Sequence, residues 1–282
     1  MKQHKYVLAI ALIALCLTAL VGASAAANPL SNPNGLALDA KGNLYVANTH
    51  GNGTGNVIVF NPSYNLQTAL TITQGIKTPA ALAFDPSGNL WVANAGALAQ
   101  YANGIPTGQS FGYACTSFAI DGNDDLYCTN GTNGGYFNVT VFSSTLAYTP
   151  IEPVNFLDLT IATPIYGVAL SGNVLAIGGP NGTSLNSLYT ALQQNALAGT
   201  TYPTMTGAAI GGAGGGVFYV GNLDGTLDYV FYNGGVAFFA TLGFTPTGIA
   251  VDNARGRIYV ANGAGNSIAV YNTAGTLIHT IK

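Results

Sequence analysis

The chain has 282 residues, of which 49% are hydrophobic and 6% are charged, and its formal net charge at pH 7 is −3. Disordered chains are usually charged and poor in large apolar groups, so this composition indicates a folded protein. Nucleic acid binding needs clustered basic side chains, and 7 Lys and Arg against 10 Asp and Glu provide no such surface. We therefore expect no nucleic acid partner.

Residues 1–27 have the organisation of a secretory signal peptide. Lys2 and Lys5 precede an uncharged apolar run over residues 7–21, and small residues with an A-x-A pattern follow it. The run is shorter than the roughly 20 residues of a membrane-spanning helix. We predict cleavage after Ala25 or Ala27 and a mature protein that is secreted or periplasmic, in the cell envelope, without a membrane span. An uncleaved anchor is the alternative.

The mature chain, residues 28–282, repeats one phrase six times. The first copy, "GLALDAKGNLYVAN", and the last, "GIAVDNARGRIYVAN", are the clearest. The copies cover residues 35–48, 81–94, 117–130, 167–179, 207–222 and 248–262. All except the fourth close with Asn. The average step is about 43 residues, a period typical of propeller blades.

Each copy contains two short runs rich in Val, Ile, Leu and Tyr between Gly and Asn turns, which predicts strands. Two more strands follow in most units, such as "NVIVF" and "TALTIT" in the first and "NVTVF" and "NFLDLT" in the third. The sequence predicts an all-β, six-bladed β-propeller with four antiparallel strands per blade and no strand exchanged at closure. The predicted blades cover approximately residues 33–75, 78–112, 115–160, 163–203, 206–243 and 245–282.

The phrases "PNGLALD", "GNLYVAN" and "GRIYVAN" resemble NHL repeats and, more loosely, SMP-30/gluconolactonase and YVTN propellers. Resemblance to SMP-30-type lactonases implies calcium in the central channel, held by acidic and Asn side chains at the tops of the innermost strands. The matching positions here are Asn34, Ala80, Thr116, Tyr166, Thr206 and Thr247, which include no carboxylate. Resemblance to NHL-type lyases implies zinc held by several histidines, whereas the mature chain has only His50 and His279.

An Asp recurs in the turn between the first two strands of four units, at Asp39, Asp85, Asp121 and Asp252. Asp side chains accept hydrogen bonds from backbone amides of such turns, so we expect a structural role. Asp121, Asn123 and Asp125 also have the opening spacing of a calcium loop. Leu126 and Thr132 then break the pattern, which favours an acidic hairpin over a metal site.

Polar side chains at the starts of first strands and the ends of second strands are the candidate ligand-binding residues. The asparagines that end second strands either cap the following turn or form an uncharged ring toward a ligand. The predicted site consists of Asn34, Asn48, His50, Asn94, Asn130, Tyr166, Asn222 and Asn262.

Cys115 and Cys128 remain after signal cleavage. If Ile120 pairs with Leu126, a simple hairpin register places the two cysteines on opposite faces, which favours buried thiols over a disulfide. A bulge would permit the bridge.

These observations predict an exported, non-catalytic binding or scaffold module for a neutral partner, which would be a glycan, a peptide or an envelope protein. A metal-dependent lactonase or related hydrolase is the alternative. We expect no cofactor, with calcium as the alternative.

Overall fold

The computed structural model describes residues 27–130, 138–143, 149–154, 165–180, 182–187, 199–202, 206–232 and 235–282. Within these ranges the chain forms six antiparallel sheets, five with four strands and one with three. Each sheet consists of strands that are consecutive in the chain, and we call the sheets blades one to six in that order. Most of the predicted signal peptide, residues 1–26, lies outside the described residues.

The strands are short and follow one another through tight turns. Blade one contains β1 (Pro33–Leu38), β2 (Leu44–His50) and β3 (Thr54–Phe60). Blade two contains β4 (Pro79–Phe84), β5 (Leu90–Asn94), β6 (Ala97–Ala102) and β7 (Ile105–Phe111). Blade three contains β8 (Ser117–Ile120), β9 (Leu126–Asn130), β10 (Asn138–Ser143) and β11 (Thr149–Val154).

The second half of the chain repeats this arrangement. Blade four contains β12 (Gly167–Ser171), β13 (Val174–Gly179), β14 (Gly182–Ser187) and β15 (Gly199–Tyr202). Blade five contains β16 (Gly207–Gly214), β17 (Val217–Asn222), β18 (Thr226–Phe231) and β19 (Val236–Thr241). Blade six contains β20 (Gly248–Asp252), β21 (Arg257–Asn262), β22 (Ser267–Asn272) and β23 (Leu277–Ile281). No helix in the described part of the chain has the length and hydropathy to cross a membrane.

The blades close into a ring through their first strands. β1 contacts β4, and the contacts continue through β8, β12, β16 and β20 back to β1. Glycine allows this close approach, because a Cβ on Gly35 would lie 2.6 Å from the Cα of Ala81, and one on Gly248 would overlap the backbone oxygen of Asn34. The small residue that opens the repeat is therefore a requirement of ring closure.

Apolar side chains fill the spaces between neighbouring blades. One cluster joins Leu44, Val46 and Phe60 of blade one to Tyr259 and Val270 of blade six. Another lies between blades five and six, and further clusters occupy the other interfaces. Each blade has two apolar faces and depends on both neighbours for burial.

The outer parts of two blades differ from the predicted strands. In blade one, "TALTIT" is not a strand: Thr68–Leu70 forms a single 3-10 turn. Two isolated bridges pair Val57 with Ile72 and Phe60 with Leu66. Residues 67–71 therefore lie opposite only residues 58–59 of β3, and the surplus residues form the turn. In blade three, Thr149–Val154 is the outer strand, and the predicted strand over residues 155–160 lies outside the described residues.

Cys115 and Cys128 form a disulfide, with their Cα atoms 5.5 Å apart, so the expectation of two buried thiols is wrong. The predicted pairing of Ile120 with Leu126 is present. The difference is a β-bulge: Thr116 and Ser117 both lie opposite Thr129, and the Thr116 amide donates to the Thr129 carbonyl at 2.9 Å. The extra residue moves Cys115 to the face of Cys128.

Candidate functional site

A cavity of 520 Å³ occupies the centre of the ring and is lined by the first strands of all six blades. Among the strands that the structure describes, each first strand pairs only with the second strand of its own sheet, so one row of its backbone N–H and C=O groups has no strand partner there. These edges face the middle of the ring. The channel is therefore polar along its walls even where its side chains are Ala or Gly.

Each first strand is preceded or opened by a bulge that directs one side chain to the mouth of the channel. In blade two, Pro79 pairs with Asn94 and Ala81 with Ala93, so Ala80 is the extra residue. In blade four, Tyr166 and Gly167 both lie opposite Gly178. We call these positions the mouth ring. Its members, all lining the cavity, are Asn34, Ala80, Thr116, Tyr166, Ala208 and Thr247.

Two members of the predicted site, Asn34 and Tyr166, belong to the mouth ring. Tyr166 is the largest side chain of the ring and is 41% exposed. Thr206, which the sequence aligned with this position, does not line the cavity: its hydroxyl accepts a hydrogen bond from the Leu223 amide at 3.1 Å. The bulge moves Ala208 into its place, since Gly207 pairs with Asn222 and Ala209 with Gly221.

The described residues that line the cavity include no Asp, Glu, Lys, Arg or His. One amide, three hydroxyls and two alanines in the mouth ring do not fit calcium, which takes six to eight oxygens and usually carboxylates. Nor do the described residues contain a group of three His, Cys, Asp or Glu side chains that could hold a metal. The ligand set implied by resemblance to SMP-30-type lactonases does not match these positions.

Asn48 and Asn94 hold the segment that leads into the first strand of their own blade. Asn48 is fully buried; its side chain accepts from the Ser31 amide at 2.6 Å and donates to the carbonyl of Pro29 at 3.1 Å. Asn94 accepts from the amides of residues 77 and 78 and donates to the carbonyl of residue 75. Neither lines the cavity. Their side chains set the position of the mouth ring rather than forming it.

The remaining predicted residues also lie away from the cavity lining. Asn222 is 2% exposed and donates to Thr226 and Asp228. Asn262 accepts from the amide of residue 265 and so caps its turn. Half-buried His50 ends β2 and pairs with residue 54. Asn130 ends β9.

The recurring aspartates stabilise turns at the other end of the strands. Asp39 accepts from the amides of residues 41 and 43. Asp121 accepts from the amides of Asn123 and Asp125 at 2.9 and 3.0 Å, and from the Tyr127 hydroxyl at 3.2 Å. The Asp121 carboxylate is thus engaged within its own hairpin, and the candidate metal loop is an Asx-type turn. Burial, followed by the nearby Asp121 charge, raises the pKa of Tyr127.

The sequence placed Thr116 and Thr247 at the tops of the innermost strands, just before the small residue that opens the repeat, but did not include them in the predicted ligand-binding site. Ala208 was missed altogether, because the bulge that exposes it depends on strand pairing. Thr247 also joins blades, since its hydroxyl donates to the Pro33 carbonyl at 2.7 Å.

No family model and no curated protein sequence matches this chain. Among solved structures, it is similar to a chain in the crystal structure of a mitotic checkpoint complex, with a TM-score of 0.58 and 15% sequence identity over 89% of this chain and 77% of that one. It is also similar to hydrazine synthase of Kuenenia stuttgartiensis, with a TM-score of 0.58 and 14% identity over 86% of this chain and 84% of that one. At such identities the similarity concerns the fold alone, which is that of a β-propeller.

Proposed function

We propose that this protein is an exported, six-bladed, NHL-like propeller that binds a neutral polar ligand at the mouth of its central channel. The ligand is a glycan or a peptide segment, free or carried by an envelope protein. The observation that supports this most is the uncharged lining of the 520 Å³ cavity, with Tyr166 exposed at its mouth.

A neutral ligand suits this channel for a physical reason. An ionised ligand would lose hydration on entry and would meet no opposite charge among the described lining residues. The hydroxyl or amide groups of a neutral ligand would instead exchange hydrogen bonds with water for hydrogen bonds with the backbone edges of the first strands and with the side chains of Asn34 and Thr116. Tyr166 adds an aromatic face on which an apolar ring surface can pack.

Export is part of this proposal. The predicted cleavage after Ala25 or Ala27 precedes Asn28, whose side chain donates to the carbonyl of Asn266 at 2.8 Å. Leu30 is 3% exposed within the cluster between blades one and six. Cleavage at either site would therefore keep the residues that attach the N-terminal segment to the ring.

The test is a screen of the mature protein, residues 28–282, against an array of neutral glycans and a library of uncharged peptides. We expect a ligand whose affinity falls at least tenfold with Tyr166→Ala and with Asn34→Asp. Phe238→Ala, which truncates an exposed aromatic on the outer strand of blade five and away from the cavity lining, is the control. A ligand unaffected by either mouth variant would contradict the proposal.

The lactonase alternative has its own measurement. Binding to the native state raises the melting temperature, so a true calcium site would make the protein more stable in calcium than in EDTA. We expect equal melting temperatures, since the mouth ring offers one amide and no carboxylate. A calcium-dependent rise would instead favour the metal-dependent hydrolase and a search among lactones.

A further inference from the structure

A second cavity, of 340 Å³, lies between blades five and six at the end of the ring opposite the mouth ring. Its volume is within the usual range for small-molecule sites. The described residues that line it are Ala213, Val217, Tyr219, Tyr229 and Phe239 of blade five and Asn253 and Thr273 of blade six. None of these side chains carries a charge at neutral pH.

The cavity exists because blade five lacks a pair of turn residues. In blade one, Asp39 clamps the first turn by accepting from the backbone and side chain of Asn43. Ala213 follows the pair Gly212–Phe218 in blade five as Asp39 follows the pair Leu38–Leu44 in blade one, and Val217 precedes its pair as Asn43 does. Ala213 is the extra residue of a bulge, and Val217 pairs with Gly214. Two apolar side chains therefore stand where blade one has its hydrogen-bonded Asp–Asn pair, and both line the cavity.

The same change leaves the Tyr219 hydroxyl without the acceptor that its counterpart in blade three has. In blade three, Tyr127 donates to Asp121 at 3.2 Å, and Tyr219 occupies the same strand position in blade five. Ala213 provides no side-chain acceptor there. Tyr219 is 5% exposed and lines the cavity, and no hydrogen bond within the described residues engages its hydroxyl. Burial, followed by the neighbouring Tyr229, raises the pKa of Tyr219, so its hydroxyl stays protonated and able to donate.

The aromatic rings indicate the class of ligand. The Tyr219 ring centroid lies 5.1 Å from that of Tyr229 and 4.9 Å from that of Phe239, the latter edge-on at 76°. Rings this close pack on one another, which leaves no space between them for an ammonium group, and the lining has no carboxylate to balance one. The rings are tilted or edge-on to one another and together form the aromatic wall of the cavity, which Asn253 and Thr273 of blade six also line.

We propose that this cavity binds a neutral saccharide unit, with the apolar face of the pyranose ring against the aromatic wall. Tyr219 hydrogen-bonds one sugar hydroxyl. Asn253, whose Nδ2 donates to the Ala213 carbonyl at 2.7 Å, contributes its amide oxygen, and Thr273 contributes its hydroxyl. This site is separate from the channel mouth and does not depend on the function proposed for it.

The test uses saturation-transfer NMR on the mature protein with glucose, galactose, mannose and N-acetylglucosamine, followed by titration of any that bind. Tyr219→Phe removes one hydrogen bond and should weaken binding about three- to tenfold. Ala213→Asp restores the acceptor found in blade three and should abolish binding by engaging Tyr219. Tyr45→Phe, the same change at the equivalent position of blade one, should leave the affinity unchanged.

Equal melting temperatures of Tyr219→Phe and the parent protein establish that the fold is retained. The proposal is overturned if none of the four sugars binds, or if Ala213→Asp binds as well as the parent. It is also overturned if tetramethylammonium, added as a competing probe, binds in place of the sugars. The channel variants Tyr166→Ala and Asn34→Asp should not alter this binding, which separates the two proposals.

Discussion

The interface between blades six and one and the interface between blades five and six are built from the same strand faces but are filled differently. Tyr259 and Tyr219 occupy the same position in the two interfaces. Beside Tyr259, Arg257 donates to the Pro62 carbonyl at 2.6 Å and lies 4.9 Å from the centroid of the Tyr64 ring. Beside Tyr219, Val217 stands at the position of Arg257, and the space stays open as the 340 Å³ cavity.

The filled interface is where the two ends of the ring meet. Among the described strands none is exchanged between blades six and one, so non-covalent contacts close this part of the ring. Tyr64 stacks on His279 with centroids 4.2 Å apart, and Arg255 donates to the Lys41 carbonyl at 3.0 Å. The repeated residues therefore build every blade alike, whereas single unrepeated side chains determine whether the space between two blades is filled or left as a cavity.

The largest expected effect comes from the apolar packing that both interfaces share. Leu44→Ala, between blades six and one, and Leu227→Ala, between blades five and six, each truncate a side chain that is at most 1% exposed. Each should lower the free energy of unfolding in urea by about 2–5 kcal/mol, from lost burial and a residual cavity. A loss below about 1 kcal/mol for Leu44→Ala alone would show that ring closure does not depend on its core.

A covalent link within one blade provides the next comparison. Replacing both Cys115 and Cys128 by Ala should lower the free energy of unfolding by about 2–4 kcal/mol, since the disulfide restrains the unfolded chain. The mass of the unreduced protein checks the bridge directly. Two free thiols in the unreduced protein would contradict it.

Removing the side chain that fills the interface between blades six and one should have an intermediate effect. Arg257→Leu loses a charged hydrogen bond and the contact with Tyr64, and should cost about 1.5–3 kcal/mol in urea unfolding. Arg255→Ala is the comparison variant at the same interface. Its ion pair with Asp252 and its hydrogen bond to the Lys41 carbonyl are both partly exposed and should together contribute about 1 kcal/mol or less. Equal losses for both variants would refute the special role of Arg257.

The smallest effect concerns pH. Burial raises the pKa of Asp228, opposed by the hydrogen bond from Asn222, and the Asp224 charge adds to the rise. A raised carboxyl pKa means that the folded state binds protons more readily, so this group adds stability as pH falls from neutral toward its unfolded pKa. Asp228→Asn should therefore show a smaller gain between pH 7 and pH 4 than the parent.

Asp224 is a control of opposite sign. Hydrogen bonds from Thr226 lower its pKa, so its contribution is present at neutral pH and is lost as pH falls through that lowered value. As pH falls, Asp224→Asn should therefore lose less of its free energy of unfolding than the parent protein does. Chemical denaturation at pH 7 and pH 4 measures the change for Asp228, and a further series below pH 4 measures the change for Asp224, because its pKa is lowered from the ordinary value of 3.8. The same sign for both variants would contradict this assignment.

Much of the fold could be predicted because the repeated phrase marks the first two strands of each blade. Leu36, Val46 and Ile58 are cross-strand neighbours on the face that packs against blade six, and the pairing of Ile120 with Leu126 is as expected. The outer segment of blade one could not be predicted, because the difference between a strand and a 3-10 turn there depends on how many residues lie opposite β3. Of the predicted site, Asn34 and Tyr166 line the channel, and Asn48 and Asn94 support it from behind.

The repeat, the strand-forming segments, the turn aspartates and the scarcity of charge could be identified from the sequence, because each follows from local residue type and spacing. Which side chains line the same cavity or form a disulfide depends on the tertiary structure. The bulges before each first strand set the mouth ring and bring Cys115 to Cys128, because one extra residue reverses the direction of those before it. The cavity beside Tyr219 likewise depends on two neighbouring blades, and no single repeat contains the information that it is empty.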